Sequence, residues 1–196
     1  IIELSDFFNN PSLIELGPLS IQYYAITWLL SALLIYIFLK QHKIIKEIGL
    51  SKDDVNDMVF LYGLFFGAMC GGRIGYMIFY GTDQLINNPL SLFYIWQGGL
   101  SFHGGLLGVI IATIFFNRKS NHSSFIYLDV VSLVAPIGIF FGRVANFINS
   151  ELYGFETNLP WGVKFIKVDN LYRHPSQLYE ALFEGFILFL ILIYLR

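Results

Sequence analysis

The sequence has 196 residues, 56% of them in the AVILMFWYC set and only 13% charged, with a mean hydropathy of +0.62. Soluble domains carry about 25% charged residues, so an ordinary soluble globular protein is excluded, and 18% aromatics exclude a disordered chain. With 12 Lys+Arg against 14 Asp+Glu, a net charge of −2 leaves no basic excess for nucleic acid, and the single cysteine, Cys70, excludes an internal disulfide and a Cys-cluster metal site.

In chain order, residues 1–19 mix Phe7, Phe8, Leu13 and Ile14 with Asp6, Asn9, Asn10 and Pro11, which predicts a surface-lying arm rather than a basic-started signal peptide. The absence of an initiator Met points to a trimmed or partial chain. Five apolar spans follow, at roughly 20–39, 58–80, 99–117, 125–148 and 178–195. No Asp, Glu, Lys or Arg occurs from Leu16 to Leu39 or from Gln84 to Asn117, and about 20 apolar residues suffice to cross a bilayer as a helix. The expected fold is therefore an all-α, multi-pass membrane bundle over residues 20–196, with an outer head loop at about 149–177.

Orientation follows from the loop cations. Lys40, Lys43, Lys46 and Lys52 lie in the first loop, and Arg118 and Lys119 in the third, whereas the second, Gly81 to Gly98, has none. The first and third loops are expected in the cytoplasm and the N-terminus outside. The fourth loop is placed outside despite Lys164, Lys167 and Arg173, because Glu151, Glu156 and Asp169 balance them.

Polar groups interrupt the spans at one depth. Tyr24 begins the first span at its outer end. Arg73 stands about 14 residues, or ~21 Å, into the second, and His103 about one turn into the third from outside. Arg143 stands about 18 residues into the fourth, with Asn146, Asn149 and Glu151 beyond it. Ionisable groups inside a membrane cost several kcal/mol and ordinarily face a cavity or a partner, so this convergence marks a candidate site. Snorkelling of interface residues is the plainer alternative.

Individual segments sharpen this. Gly98-Gly99-Leu100-Ser101-Phe102-His103-Gly104-Gly105 sets a hydroxyl and an imidazole among glycines at a helix entrance, where small residues also serve helix packing. A Ser101–His103 hydrolase dyad is not expected, since residues two apart on a helix point about 200° apart. Gly142 to Gly154 puts a guanidinium, two amides and a carboxylate where a helix leaves the bilayer, groups suited to phosphate oxygens and to sugar or glycerol hydroxyls. Arg173 to Glu180 opens the last span, with Pro175 or Ser176 in its first turn. Gln177, Glu180 and Glu184 then form a polar stripe whose natural partners are the buried arginines. Gly72-Arg73-Ile74-Gly75-Tyr76-Met77-Ile78 echoes Gly142-Arg143-Val144-Ala145-Asn146-Phe147-Ile148, by duplication of a helix pair or by chance.

The run Gly-Arg-x-Ala-Asn-Phe-Ile-Asn-x-Glu-x-x-Gly at 142–154 resembles the signature of the prolipoprotein diacylglyceryl transferase family. The resemblance extends to Gly17-Pro18 through Tyr24, Gly71 through Tyr76, Trp96 through Gly105, Pro160-Trp161-Gly162 and Arg173 through Glu180, in the family's order. It implies a bacterial inner-membrane enzyme, with its site toward the outer side. That enzyme moves the diacylglyceryl group of phosphatidylglycerol onto the lipobox cysteine thiol of exported prolipoproteins and releases glycerol 1-phosphate. The resemblance makes Arg143 a phosphatidylglycerol ligand and Tyr24, His103, Asn146, Glu151 and Gly154 functional positions. Asn149, Ser101, Arg73, Arg173, Gln177 and Glu180 complete the candidate substrate-binding set. Ala25 stands where the family commonly has Gly, and the family usually continues through two further spans, so this chain is expected to lack them.

The chemistry asks for a base for the thiol, whose free pKa is near ~8.5; an imidazole ordinarily titrates near ~6.5, and His103 is the candidate for that role. Arg143, with Arg73 as second cation, would neutralise the departing phosphate. No cofactor and no metal are expected, since His103 and Glu151 have no second histidine at ligand spacing. A headgroup phosphotransferase would need clustered aspartates near the cytoplasmic face, where Asp129 stands by itself, and a transporter or non-enzymatic phospholipid-binding protein is the other alternative.

Overall fold

The computed structural model describes residues 2–3, 12–16, 19–118 and 123–196, with side chains from Ala25 onward. Strands β2 (Ser12–Leu16) and β3 (Leu19–Gln22) pair antiparallel, Ile14 opposite Ile21 and Leu16 opposite Leu19, with a register shift between Ser12 and Ile14. Because residues 19–22 give their backbone to this ladder, the first helix, α1, starts at Tyr23 and runs to Gln41, not from about residue 20. A short helix α2 (Lys43–Glu47) follows, its first turn capped by His42 Nδ1, which accepts from the Ile44 amide.

Ser51 opens the next helix with a capping box. Its hydroxyl accepts from the Asp54 amide at 3.1 Å, and the Asp54 carboxylate accepts from the Ser51 amide at 2.9 Å. These bonds satisfy donors that a helix start otherwise leaves open. The helix α3 then runs 28 residues, Lys52–Phe79, widening to a π-helical winding over Asp57–Gly71. Beyond the short α4 (Thr82–Asn87) and two 3₁₀ turns, Pro89–Phe93 and Ile95–Gln97, come α5 (Phe102–Asn117) and α6 (Ser124–Ile148). The last helix, α7, spans Ser176–Leu195.

Three of these helices, α3, α6 and α7, are long and apolar enough to cross a membrane, and α1 and α5 are shorter apolar helices. They match the five expected spans. Large apolar side chains such as Leu29, Phe65, Leu107 and Phe183 are 46–62% exposed. In water that surface is unfavourable, whereas in lipid it faces its own solvent, and the backbone polar groups are closed within each helix. The protein is thus a multi-pass helical membrane protein.

The chain divides into two compact units, Ile1–Leu33 with Leu133–Arg196, and Leu34–Ser132. In the first, α6 and α7 touch closely where Gly185 meets Phe140; a Cβ on Gly185 would lie 2.7 Å from the Phe140 Cβ. A small sheet accompanies them: β1 (Ile2–Glu3) runs parallel to β4 (Val163–Lys164), which is antiparallel to β5 (Tyr172–Arg173). Under it, Val163 and Phe165 are buried against Phe147 and Val168. In the second unit, α3 and α5 come together through glycines, a Cβ on Gly71 falling 2.6 Å from the Gly104 carbonyl and one on Gly75 2.6 Å from the Gly104 Cα. Small residues that let backbones approach are the usual basis of helix association in lipid.

Candidate active site

In the first unit the α6–α7 contact at Phe140 and Gly185 carries Arg143, one turn further along α6, onto α7. Its Nε lies 2.8 Å from Glu180 Oε2 and its Nη2 3.9 Å from Glu184 Oε2. Two members of the α7 stripe, Glu180 and Glu184, thus face Arg143, which is half-buried rather than buried. The side chains of Arg143 and Glu180 are about a third exposed and that of Glu184 about half. Against water such pairs contribute ~0–1 kcal/mol; their importance here is that a membrane helix has few other ways to hold these charges.

The end of α6 is a Schellman-type cap. The Glu151 amide donates to the Asn146 carbonyl at 2.8 Å and the Ser150 amide to that of Phe147 at 3.1 Å. Ser150 takes φ 60° in the left-handed region that glycine usually supplies, and Leu152 takes φ 53°. Such residues cost of order 1–3 kcal/mol each and concentrate at functional sites. The cap folds Glu151 back over the helix end, so that Asn146 Nδ2 donates to Glu151 Oε2 at 3.1 Å.

The turn after it is tied to the start of α7. Gln177 Nε2 donates to the Glu151 carbonyl at 2.6 Å, and Ser176 Oγ to that of Leu152 at 2.9 Å. The Gly154 amide donates to the His174 carbonyl at 3.0 Å, and a Cβ at Gly154 would come within 2.9 Å of that oxygen. Close approach therefore explains the glycine. Gln177, fully buried, reaches backbone rather than an arginine, and its Oε1, like Asn149 Oδ1, is buried with no hydrogen-bond partner among the described residues. Helix α7 begins at Ser176, directly after Pro175.

Arg173 also has a local partner. Its Nη2 donates to Asp169 Oδ2 at 2.6 Å, and its guanidinium stands 5.1 Å from the centroid of the Tyr153 ring. The hydrogen bond from Arg173, with a second from the Leu171 amide, holds the Asp169 carboxyl below its usual pKa, and Asp169 in turn raises that of Arg173. An acid four residues before Arg173 was the available signal for this pair. Trp161 Nε1 donates to the Tyr179 hydroxyl at 2.8 Å, which lies 3.2 Å from His174 Nδ1. Neither Tyr179 nor His174 was singled out from the sequence, whose spacing gives no hint of this contact.

The second unit holds Arg73, Ser101 and His103. Ser101 precedes α5 as its N-cap, accepting from the Gly104 amide at 3.3 Å. Ser101 thus stands just before the helix, not on it as the angular argument about a Ser101–His103 dyad supposed. Both residues border an open surface depression with Phe79, Tyr80 and Leu107; Ser101 is buried, whereas His103 and the other three are exposed. Arg73 does not border that depression: its guanidinium donates to the carbonyls of Ser91, Leu92, Gly98 and Gly99. Tyr24 is the second residue of α1, and its side chain lies outside the described residues. Among the described residues, no three or more His, Cys, Asp or Glu are grouped to hold a metal ion.

The family model described as prolipoprotein diacylglyceryl transferase matches residues 11–196. Proteins named phosphatidylglycerol–prolipoprotein diacylglyceryl transferase are 42% identical to the chain in Geobacter sulfurreducens, Vibrio atlanticus and Wolbachia pipientis wMel. These matches cover 93%, 93% and 92% of the chain and 70%, 66% and 67% of the respective relatives. The chain thus spans about two thirds of their length. With the motif at 142–154 folded as one capped and docked turn inside a match that runs almost from end to end, the chain belongs to the prolipoprotein diacylglyceryl transferase family.

Proposed function

We propose that this chain transfers the diacylglyceryl group of phosphatidylglycerol to the cysteine thiol of a lipobox in an exported prolipoprotein, releasing glycerol 1-phosphate. The observation that carries the reading is the Arg143–Gly154 turn. It presents a guanidinium beside an Asn146–Glu151 pair at the end of a membrane helix. A phosphate oxygen can take the place that Glu180 Oε2 holds 2.8 Å from Arg143 Nε. Asn146 and Glu151 orient the glycerol hydroxyls of the headgroup, and the docked segment Gly154–Gln177 holds that turn in place.

The thiol proton passes to the His103 imidazole. The sulfur attacks the glycerol carbon that bears the phosphate ester, a carbon–sulfur bond forms and the carbon–oxygen bond breaks. The bonding pair leaves on the phosphate oxygen, whose charge Arg143 balances. The products are a thioether-linked diacylglyceryl cysteine and glycerol 1-phosphate, and the proton on His103 returns to solvent.

We place the chain in a bacterial inner membrane with this chemistry toward the outer side, on the strength of the cations at Lys40, Lys43, Lys46, Lys52 and Arg118. The arm at 1–19 and the head loop at about 149–177 then lie outside. The test is reconstitution of the chain with phosphatidylglycerol and a lipobox peptide, followed by mass spectrometry of the peptide. A mass gain of one diacylglyceryl group on the cysteine is expected. An unmodified peptide beside intact phosphatidylglycerol binding would reduce the chain to a lipid-binding protein.

A further inference from the structure

Arg73 is 3% exposed, on the last two turns of α3, with Tyr76 one turn along the same face. Its donors reach two separate points of the connection between α3 and α5. Nη2 donates to the Ser91 carbonyl at 2.6 Å and Nε to that of Leu92 at 3.2 Å, in the first 3₁₀ turn. Nη1 donates to the carbonyls of Gly98 and Gly99, immediately before α5. The planar fork of an arginine suits this bridging, which a lysine ammonium lacks the reach and rigidity to reproduce.

The second point is a strained-looking turn made possible by glycine. Gly98 and Gly99 both take φ 79°, and a Cβ on Gly99 would stand 2.5 Å from Cε1 of the Tyr76 ring. The Ser101 amide next donates to the Gly72 carbonyl at 2.9 Å. Gly72, Arg73 and Tyr76 of α3 thus form a seat on which residues 98–101 are laid. Ser101 leaves that seat to cap α5, and His103 is the second residue of the capped helix.

We infer that Arg73 is a positioning residue: by gripping the carbonyls of Ser91, Leu92, Gly98 and Gly99 it sets the turn that places Ser101 and His103 at the start of α5, and it is not a ligand of the lipid phosphate. Its relevance to turnover rests on the transferase reading; the clamp itself does not. A guanidinium engaged by carbonyls is already solvated by dipoles in place of water, and exchanging four of them for one anion would dismantle the turn.

Hydrogen exchange on the whole chain in nanodiscs tests the clamp directly. The amides of Ser91, Tyr94, Gln97, Gly98 and Ser101 have backbone partners and serve as reporters. In Arg73→Gln and in Arg73→Lys, exchange over 89–105 should rise about tenfold or more, with residues 52–71 and 133–196 unchanged. Gly99→Ala, which strikes the same seat from the other side, should reproduce the pattern. Phosphatidylglycerol retained from phosphatidylglycerol-containing against phosphatidylcholine nanodiscs, counted by native mass spectrometry, should be unaltered in all three. Lost lipid with unchanged exchange over 89–105 would make Arg73 a phosphate ligand, and exchange raised throughout the chain would make it a general stabiliser; either overturns the assignment. In turnover, Arg73→Gln should lower kcat with KM for phosphatidylglycerol intact, and should add little to the loss in His103→Gln. Additive losses would likewise overturn it. A chain that modifies no peptide yet shows the localised exchange would remove the transferase reading and leave the clamp standing.

Discussion

Arg73 and Arg143 occupy matching places in two similar stretches, each following a glycine near the end of a membrane helix, yet their surroundings differ in kind. Arg73 is buried and its donors go to backbone carbonyls, whereas Arg143 is about a third exposed and faces the carboxylates of Glu180 and Glu184. Carbonyls of a turn cannot be exchanged without undoing the turn. A carboxylate on a side chain can step aside for another anion of similar shape. The comparison separates an arginine that builds a site from one that can work in it, and it does so through partner chemistry rather than through position in the sequence.

The largest effect is expected at the histidine whose setting Arg73 prepares. His103→Gln should leave phosphatidylglycerol binding intact while the transfer rate falls by ~10²–10⁴-fold. Raising the pH toward the thiol's own pKa of ~8.5 should restore part of the rate, because more thiolate then forms without a base. Near-normal turnover at neutral pH would move thiolate formation to the cationic field of Arg143. Next comes Arg143→Lys, which keeps the charge and loses the fork; phosphatidylglycerol affinity should drop about tenfold or more, while the same change at Arg73 leaves affinity alone. Equal affinities for wild type and Arg143→Lys would erase the distinction between the two arginines.

Smaller effects test the frame around Arg143. Gly154→Ala should destabilise by about 1–3 kcal/mol in thermal or denaturant unfolding in detergent, because its Cβ would press on the His174 carbonyl. No change would mean that the turn gives way freely. The smallest effect concerns Asp169, whose pKa is lowered from 3.8 by Arg173 and the Leu171 amide. A carboxyl with a lowered folded-state pKa contributes stability above its unfolded value that fades as pH falls through the folded one. The tie should therefore hold at neutral pH and loosen below about pH 3.8, with faster hydrogen exchange confined to 153–173. Asp169→Asn should show that loosening at neutral pH and little further acid response.

The site was legible in the sequence wherever its parts are side chains meeting at helical spacing. Glu180 and Glu184 recur at four residues on an otherwise apolar helix, so they required a cation, and Arg143 supplies it. The Gly142–Gly154 run declared itself by the density of polar groups at a membrane exit. What escaped were contacts to backbone: Arg73 to four carbonyls, Gln177 to the Glu151 carbonyl, and the Ser101 cap that moves that residue off the helix. Every residue carries a carbonyl, so nothing in the order of side chains distinguishes one that will be bound.

The sequence by itself determined the five apolar helices, since a predominantly apolar run of about 20 residues is stable in lipid as a helix that closes its own backbone bonds, and it determined which polar residues had to find partners there. Tertiary structure alone decided which partners they found. The glycine contacts of Gly71 and Gly75 with Gly104, and of Gly185 with Phe140, set the helix pairings. The left-handed turns at Ser150 and at Gly98–Gly99 then decide where the chain goes next. From these follow the carboxylates on Arg143 and the carbonyls on Arg73, because an arginine's role is fixed by what packing brings within hydrogen-bond distance of its fork.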